Sequence, residues 1–276
     1  MKILSLLLLV ATSLCAQPPT HLKLASWNVQ DLGRTKSDDE IALMAQILRD
    51  YDVIALQEVV AGDPAGAQAV ARLAEALDRT GNDYDYRVSD PTRSSSGAVS
   101  ERYAFVWRAA SVALVGRPKL IRAYAKTVER EPYLAEFAWG GRHFRVATFH
   151  GRPHDAQPER EVSLMRDLPD DFDDLPLFLA GDFNLVSRHT VFGPWRRRGY
   201  GLALENQPTT LRTRAGPAGP RDIFSREADN ILVPAHRVSH LEGGLLDVPA
   251  YLRNDLAAAR RLSDHVPVYV VFGEFP

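Results

Sequence analysis

From Pro176 to Ala180 the run Leu175–Asn184, Leu-Pro-Leu-Phe-Leu-Ala-Gly-Asp-Phe-Asn, is apolar throughout. A run so short and so uniform is the pattern of a strand buried on both faces, and such a strand demands covering layers above and below it. Gly181 then offers the chain a turn, and Asp182 and Asn184 follow with Phe183 between them. At strand spacing the two polar side chains share one face while Phe183 returns to the core. A carboxylate and an amide at such an end suit a hard metal ion or a phosphate, and equally an Asp/Asn-capped turn.

The same form, an apolar run closed by a polar residue, recurs along the chain. His21–Val29 reads as a strand ending in Ser26-Trp27-Asn28-Val29, and Asp52–Val60 as a buried strand with Glu58 near its end. Further strands are predicted at Tyr84–Val88, Tyr103–Trp107, Val112–Val115, Ala135–Trp139, Phe144–Phe149, Asn230–Val233 and Val266–Phe272. Ser37-Asp38-Asp39-Glu40 is a capping box, and Ile41, Met44, Ile47 and Leu48 give the helix after it one apolar face. Ala65–Arg79 is a second amphipathic helix stopped by Gly81, and Glu159–Leu168 a third ended by Pro169. Runs of strands with interspersed helices imply two stacked sheets with helices outside. The fold class expected is therefore α/β (α+β).

Met1–Ala16 has the form of a signal peptide: Lys2, the apolar run Ile3–Val10, and Leu14-Cys15-Ala16 as a cleavage site before Gln17. That run is too short to span a bilayer. The chain's one cysteine, Cys15, lies within it, so residues 17–276 hold no thiol for a disulfide, nucleophile or ligand. Lipid attachment at Cys15 is the alternative, against which the bulky Leu14 argues. With no linker, repeat or charge block, residues 17–276 read as one domain, expected to be a monomer, secreted or periplasmic. The net charge of −2 gives no general basic surface, so any phosphate recognition must be local.

The polar ends Asn28, Glu58, His150, Asp182 with Asn184, Asp229, and Asp264 with His265 are too many to be ordinary turns. Burying a carboxylate costs several kcal/mol unless something pairs it. A divalent cation and two carboxylate–histidine pairs would do so.

At this point the sequence resembles a family. Trp27-Asn28-Val29-Gln30, Ile54-Ala55-Leu56-Gln57-Glu58-Val59, Ser100-Glu101-Arg102-Tyr103, Arg130-Glu131-Pro132, Thr148-Phe149-His150, Gly181-Asp182-Phe183-Asn184, Asp229-Asn230-Ile231 and Ser263-Asp264-His265-Val266-Pro267 follow one another as in the endonuclease/exonuclease/phosphatase superfamily. The similarity is greatest to its secreted deoxyribonuclease I branch and runs from Leu24 to Phe272. It implies a four-layer α/β/β/α sandwich and metal-dependent hydrolysis of phosphodiesters, with DNA as substrate and RNA as the alternative. The cofactor implied is Mg2+, with Mn2+ or Ca2+ as alternatives, held by Glu58, Asn28 and Asp264. The resemblance makes His150 with Glu101, and His265 with Asp229, two carboxylate–imidazole pairs for acid–base work, beside Asp182 and Asn184. Arg130, Arg102, Arg93 and Arg152 become the expected phosphate contacts. Where that branch places a groove-reading arginine and tyrosine, this chain has Val60 and Val99. The catalytic centre is thus expected to be kept and the duplex grip not. The competing expectation is a sphingomyelinase-like phosphodiesterase or a phosphatase of the same superfamily, although the chain lacks an apolar membrane-inserting hairpin. The arginines 196–198 are expected on a solvated face, and Trp107, Trp139 and Trp195 in packing rather than base stacking.

Overall fold

The computed structural model describes residues 20–273 and 275, apart from 63, 98, 173, 220 and 221; the leader segment and Cys15 lie outside it. In chain order the elements are β1 (Leu22–Leu32), α1 (Asp38–Leu48), β2 (Val53–Val60), α2 (Ala65–Asp78), β3 (Tyr84–Val88), β4 (Glu101–Arg108), β5 (Ala113–Leu120), β6 (Tyr133–Trp139) and β7 (Arg142–His150). There follow α3 (Pro158–Leu164), β8 (Leu177–Asp182), α4 (Gly193–Arg197), β9 (Gly201–Leu202), β10 (Asp229–Val233), β11 (His240–Leu245), α5 (Val248–Tyr251), α6 (Leu256–Leu262) and β12 (Val268–Phe272).

Two six-stranded mixed sheets, ordered β11-β12-β1-β2-β4-β3 and β5-β6-β7-β8-β10-β9, lie face to face. Each has one parallel pair near its middle, β1/β2 and β7/β8, with antiparallel neighbours. Leu24, Ala55, Phe105, Phe137, Phe144, Phe178 and Phe272 fill the layer between the sheets. Ile41, Met44, Val70 and Leu73 of α1 and α2 cover the outside of the first sheet. Val162, Met165 and Trp195 cover the second. The expected four-layer sandwich is the observed one, and the wholly buried β8 has its two covering layers.

This topology fixes where the polar strand ends go. In a mixed sheet the C-terminal ends of parallel strands and the N-terminal ends of their antiparallel neighbours lie along one edge. Asn28, Glu58, His150 and Asp182 stand near the ends of β1, β2, β7 and β8, while Glu101 and Asp229 open β4 and β10. His265 precedes β12, which runs antiparallel to β1. In β8, His150 and Asp229 are both register partners of Asp182.

Several local expectations change. Gly181 is not the turn but a residue inside β8, at φ +150°, where a Cβ would sit 1.8 Å from the Phe149 carbonyl oxygen. Only glycine allows that approach of β7 to β8. β5 runs on past Gly116 and Pro118 to Leu120, with a register shift; as the last strand of its sheet it tolerates a proline. α3 starts at Pro158 and stops at Leu164, leaving turns up to Pro169. β11 and the short helices α4, α5 and α6 were not predicted. The capping box at Ser37 and Glu40 is present in both directions.

Candidate active site

β2 does not simply end at Glu58. That residue has φ +59°, unusual for a side chain with a Cβ, and the β2/β4 register shifts between Leu56 and Val59. The bulge turns Glu58 out of the sheet alternation. Gln30 and Asp31 in the matching stretch of β1 are also left-handed, and so is Asn184 after β8. Asp182 and Asn184 therefore do not stand at strand spacing; the Asn184 backbone N–H instead donates to Asp182 Oδ1 at 2.8 Å. Such backbone is costly and gathers where side chains must be aimed.

Two imidazoles face each other across this edge. His150 Nδ1 donates to Glu101 Oε2 at 2.8 Å, and His265 Nδ1 donates to Asp229 Oδ2 at 2.7 Å. Their Nε2 atoms both look toward Asp182 Oδ2, at 3.6 Å and 3.7 Å. Each carboxylate fixes a tautomer and leaves Nε2 for chemistry.

The braces extend outward. Glu101 Oε2 also takes Arg130 Nε at 3.1 Å, and its Oε1 accepts the Glu58 backbone N–H. Thr209 Oγ1 donates to Asp229 Oδ2 at 2.7 Å. Ser263 Oγ donates to the Asn28 carbonyl and accepts from His265 N, while Trp27 Nε1 holds the His265 carbonyl. The buried Gln57 donates to Ser26 Oγ on the neighbouring strand β1 and, across to the other sheet, to Thr148 Oγ1. Gln57, Thr209 and Tyr103, whose hydroxyl accepts from His150 N, were missed as site residues. Of these, only Gln57 carries a signal in the sequence, a polar residue inside an apolar run.

Burial opposes charge on His150, but the Glu101 carboxylate, its hydrogen bond and Asp182 outweigh it, and the pKa stands above the usual imidazole value. For His265 burial is outweighed by Asp229 and Asp182, which raise it to about 10. Burial is likewise outweighed at Asp182, which the two imidazoles hold below the ordinary carboxylate range. Glu58 is raised, chiefly by burial and then against the His150 contribution by Glu101.

Asn28 Nδ2 donates to Glu58 Oε1 at 2.8 Å and Asp182 Oδ2 at 3.1 Å, while its oxygen accepts the Gln30 N–H. Asn28 thus spaces two carboxylates as a donor, where an oxygen ligand was expected. Neither carboxylate has a lysine or arginine partner among the described residues, and crowding of this kind fits a hard divalent cation with oxygen ligands. Asp182, Asp229 and His265 also bring three ligand atoms within 4.8 Å of one another. His265 Nδ1 and Asp229 Oδ2 are already bonded to each other, so Glu58 and Asp182 are the better pair. Asp264 is half-buried beside His265 and lines the groove on that side, and no described hydrogen bond joins it to Glu58 or Asp182.

The expected phosphate contacts fare unevenly. Arg130 is buried and donates to Val99 O and Gly151 O besides Glu101. Arg102 is turned to Ser89 O, on the opposite face of β4 from Glu101. Arg152 is paired with Glu129 and Glu161. Arg93 is exposed, and among the described residues its backbone N–H donates to Glu131 Oε2. Trp107, Trp139 and Trp195 are buried in packing, as expected. Of the three arginines expected on a solvated face, Arg196 and Arg197 are exposed and Arg198 is half-buried, pairing with Asp167 and Asp170.

Residues 25–265 match the model of the Endonuclease/Exonuclease/phosphatase family. The chain is 34% identical to a Deoxyribonuclease of Thioalkalivibrio sp. (strain K90mix) over 91% of its own length and 71% of that protein. It is 31% identical to Deoxyribonuclease-1 of Homo sapiens over 98% of both. Among solved structures, D. rerio TDP2 complexed with single strand DNA product superposes with a TM-score of 0.66 at 19% identity, covering 93% of this chain and 100% of that one. The human Nocturnin catalytic domain with bound sulfate anion gives 0.63 at 17%, covering 93% and 95%. At those identities the two structures show a shared fold.

Proposed function

The chain belongs to the endonuclease/exonuclease/phosphatase family, close to deoxyribonuclease I, and from that footing we propose that it is a divalent-metal-dependent endonuclease that cuts DNA to 5′-phosphate ends. It is a hydrolase acting on phosphodiester bonds. The observation that carries the finer reading is the pair of carboxylate-braced imidazoles whose Nε2 atoms converge on Asp182. A phosphodiester between them would meet one proton acceptor and one proton donor on opposite sides, as in-line hydrolysis requires.

Glu58 and Asp182 would hold the cation, Mg2+ or Mn2+, spaced by Asn28. When bound it polarises a phosphate oxygen and offsets charge developing on the phosphoryl group. His150 takes a proton from the attacking water, and Glu101, steadied by Arg130, supports the imidazolium formed. The new P–O bond forms as the bond to the leaving 3′ oxygen breaks. His265, which Asp229 and Asp182 keep protonated, gives its proton to that oxygen. Asn184, whose backbone N–H is bonded to Asp182, would help to orient the phosphate, and Arg130 would act through Glu101. The apolar leader Met1–Ala16 supports export, and the working unit is read as a single-domain monomer. No helix among the described residues is long and apolar enough to cross a membrane.

Incubation with plasmid DNA, RNA and sphingomyelin, each with and without chelator, tests the reading. Chelator-sensitive nicking of plasmid is expected. Turnover of sphingomyelin with plasmid left intact would overturn it in favour of the lipid phosphodiesterase.

A further inference from the structure

The two flanks of the site differ in charge. On the His150 side a hollow of about 360 Å³ is bordered by Asp31, Glu58, Glu101, Val60 and Val99, and its arginine, Arg130, is bonded to Glu101. On the His265 side a groove of about 530 Å³ opens at Asp264 and His265 and passes Arg212, Arg214, Arg226 and Arg260. Two of these build the groove. Arg260 donates to the carbonyls of Leu211 and Arg212, and Arg212 pairs with Asp222. The other two, Arg214 and Arg226, are exposed and have no acidic partner for their guanidinium groups among the described residues.

We infer that this groove is a track for consecutive phosphates of one nucleic-acid strand, so that the enzyme grips its substrate on one side of the scissile linkage only. The inference rests on the phosphodiesterase reading above and adds the direction and residues of the grip. The groove is continuous with His265, so a strand whose phosphate lies between the two imidazoles reaches Arg214 and Arg226 without leaving the surface. The opposite hollow offers the backbone less: its carboxylates Glu58 and Glu101 are committed to the cation and to His150, its arginine Arg130 is bonded to Glu101, and Asp31, Val60 and Val99 line the rest. Among the described residues that line the groove there is no Phe, Tyr or Trp, so they offer the bases no stacking platform, and binding there follows the backbone rather than sequence.

Single-stranded 12-mers test this, with three linkages made uncharged methylphosphonates on either the 5′ or the 3′ side of a chosen phosphodiester. In the wild type, neutralising one side should lower kcat/KM at the chosen linkage severalfold, and neutralising the other should change it little. With Arg214→Gln and Arg226→Gln combined, this sidedness should vanish. The slope of log kcat/KM against log salt should become shallower by about 1.4, because each lost phosphate contact to a single strand contributes about 0.7. Dividing by kcat/KM for bis(p-nitrophenyl) phosphate removes any loss from misfolding, and the Lys pair at the same positions should restore the slope. Equal losses from both sides, or an unaltered slope in the Gln variant, would overturn the one-sided grip. Failure of the wild type to hydrolyse either the oligonucleotide or the small diester with Mg2+ or Mn2+ would instead remove the phosphodiesterase reading beneath it.

Discussion

At the scale of single residues, the division of labour between the two imidazoles can be read from what each carboxylate does. His265 lies against Asp229 and near Asp182, and gains a proton that burial alone would expel. A proton donor matters only while the leaving oxygen is a poor leaving group. His265→Ala should therefore lose most of its activity on DNA yet recover much of it on a p-nitrophenyl diester, whose leaving group needs no proton. His150→Ala should stay inactive on both, and equal recovery of the two variants would reverse or remove the assignment. The same shift has a thermodynamic sign. An imidazole whose pKa is higher in the folded than in the unfolded chain stabilises the fold below its unfolded value, and that contribution is lost as pH climbs toward the folded value. For His265 the window lies between 6.5 and about 10. Held in chelator, the wild type should lose Tm steadily through this window and His265→Gln should lose less; parallel curves would mean that the proton is not there. Glu101 is read differently, since it acts through His150. Arg130→Met should cost about 10- to 100-fold in activity, the usual effect of removing an outer partner, and should move the acidic limb of the pH profile. A purely structural arginine would leave that limb in place.

At the scale of elements, the sequence disclosed most where strands are buried on both faces. β1, β2, β7, β8 and β10 are near-continuous apolar runs, and the polar residue near the end of the first four, or at the start of β10, is a site residue because topology sends those termini to one edge. The capping box made α1 equally legible. What stayed hidden has physical causes. β11 is an edge strand containing Gly243 and Gly244, whose β propensity is poor. α4, α5 and α6 span at most seven residues, too few for a 3.6-residue period to show. The positive φ of Glu58 depends on pairing with β4, about which the local sequence is silent. Arg226 and Arg260 enter one groove from segments far apart in the chain, although Leu211-Arg212-Thr213-Arg214 carried a visible basic alternation. The reading of Gly181 as a turn was wrong because close approach of two strands and a turn select the same residue. Gly181→Ala should destabilise the fold by about 3 kcal/mol or more, the upper end for overpacking, since the atom met is a backbone carbonyl that cannot rotate away. Urea denaturation checks this, and a loss below about 1 kcal/mol would mean that β7 and β8 can separate.

For the whole molecule, the question is how much nucleic acid the surface can hold with a net charge of −2. General attraction is weak, so binding depends on where the few uncommitted cations stand. Arg102, Arg130 and Arg152 are tied into the scaffold, Arg93 stands exposed outside the hollow, and the hollow beside His150 sets Val60 and Val99 among Asp31, Glu58 and Glu101. A duplex presents backbone on both flanks of the scissile phosphate and grooves that a side chain must enter to read sequence. This surface meets one flank and enters no groove, so cutting of duplex should fall steeply with salt and be nearly uniform along the sequence. Val60→Arg combined with Val99→Tyr should supply what is lacking. The structure tolerates both changes. Val99 is exposed and serves Arg130 through its backbone carbonyl, and Val60 is only partly buried at the rim of the hollow. The double variant should bind a 20-base-pair duplex more tightly in fluorescence anisotropy, lose less activity as salt rises, and acquire a cleavage bias on an end-labelled fragment. Single-strand cleavage, which depends on the groove beside His265, should change little. A wild type that already holds duplex at high salt with marked sequence bias would mean that other residues enter the groove, and the assignment of the two flanks would fail.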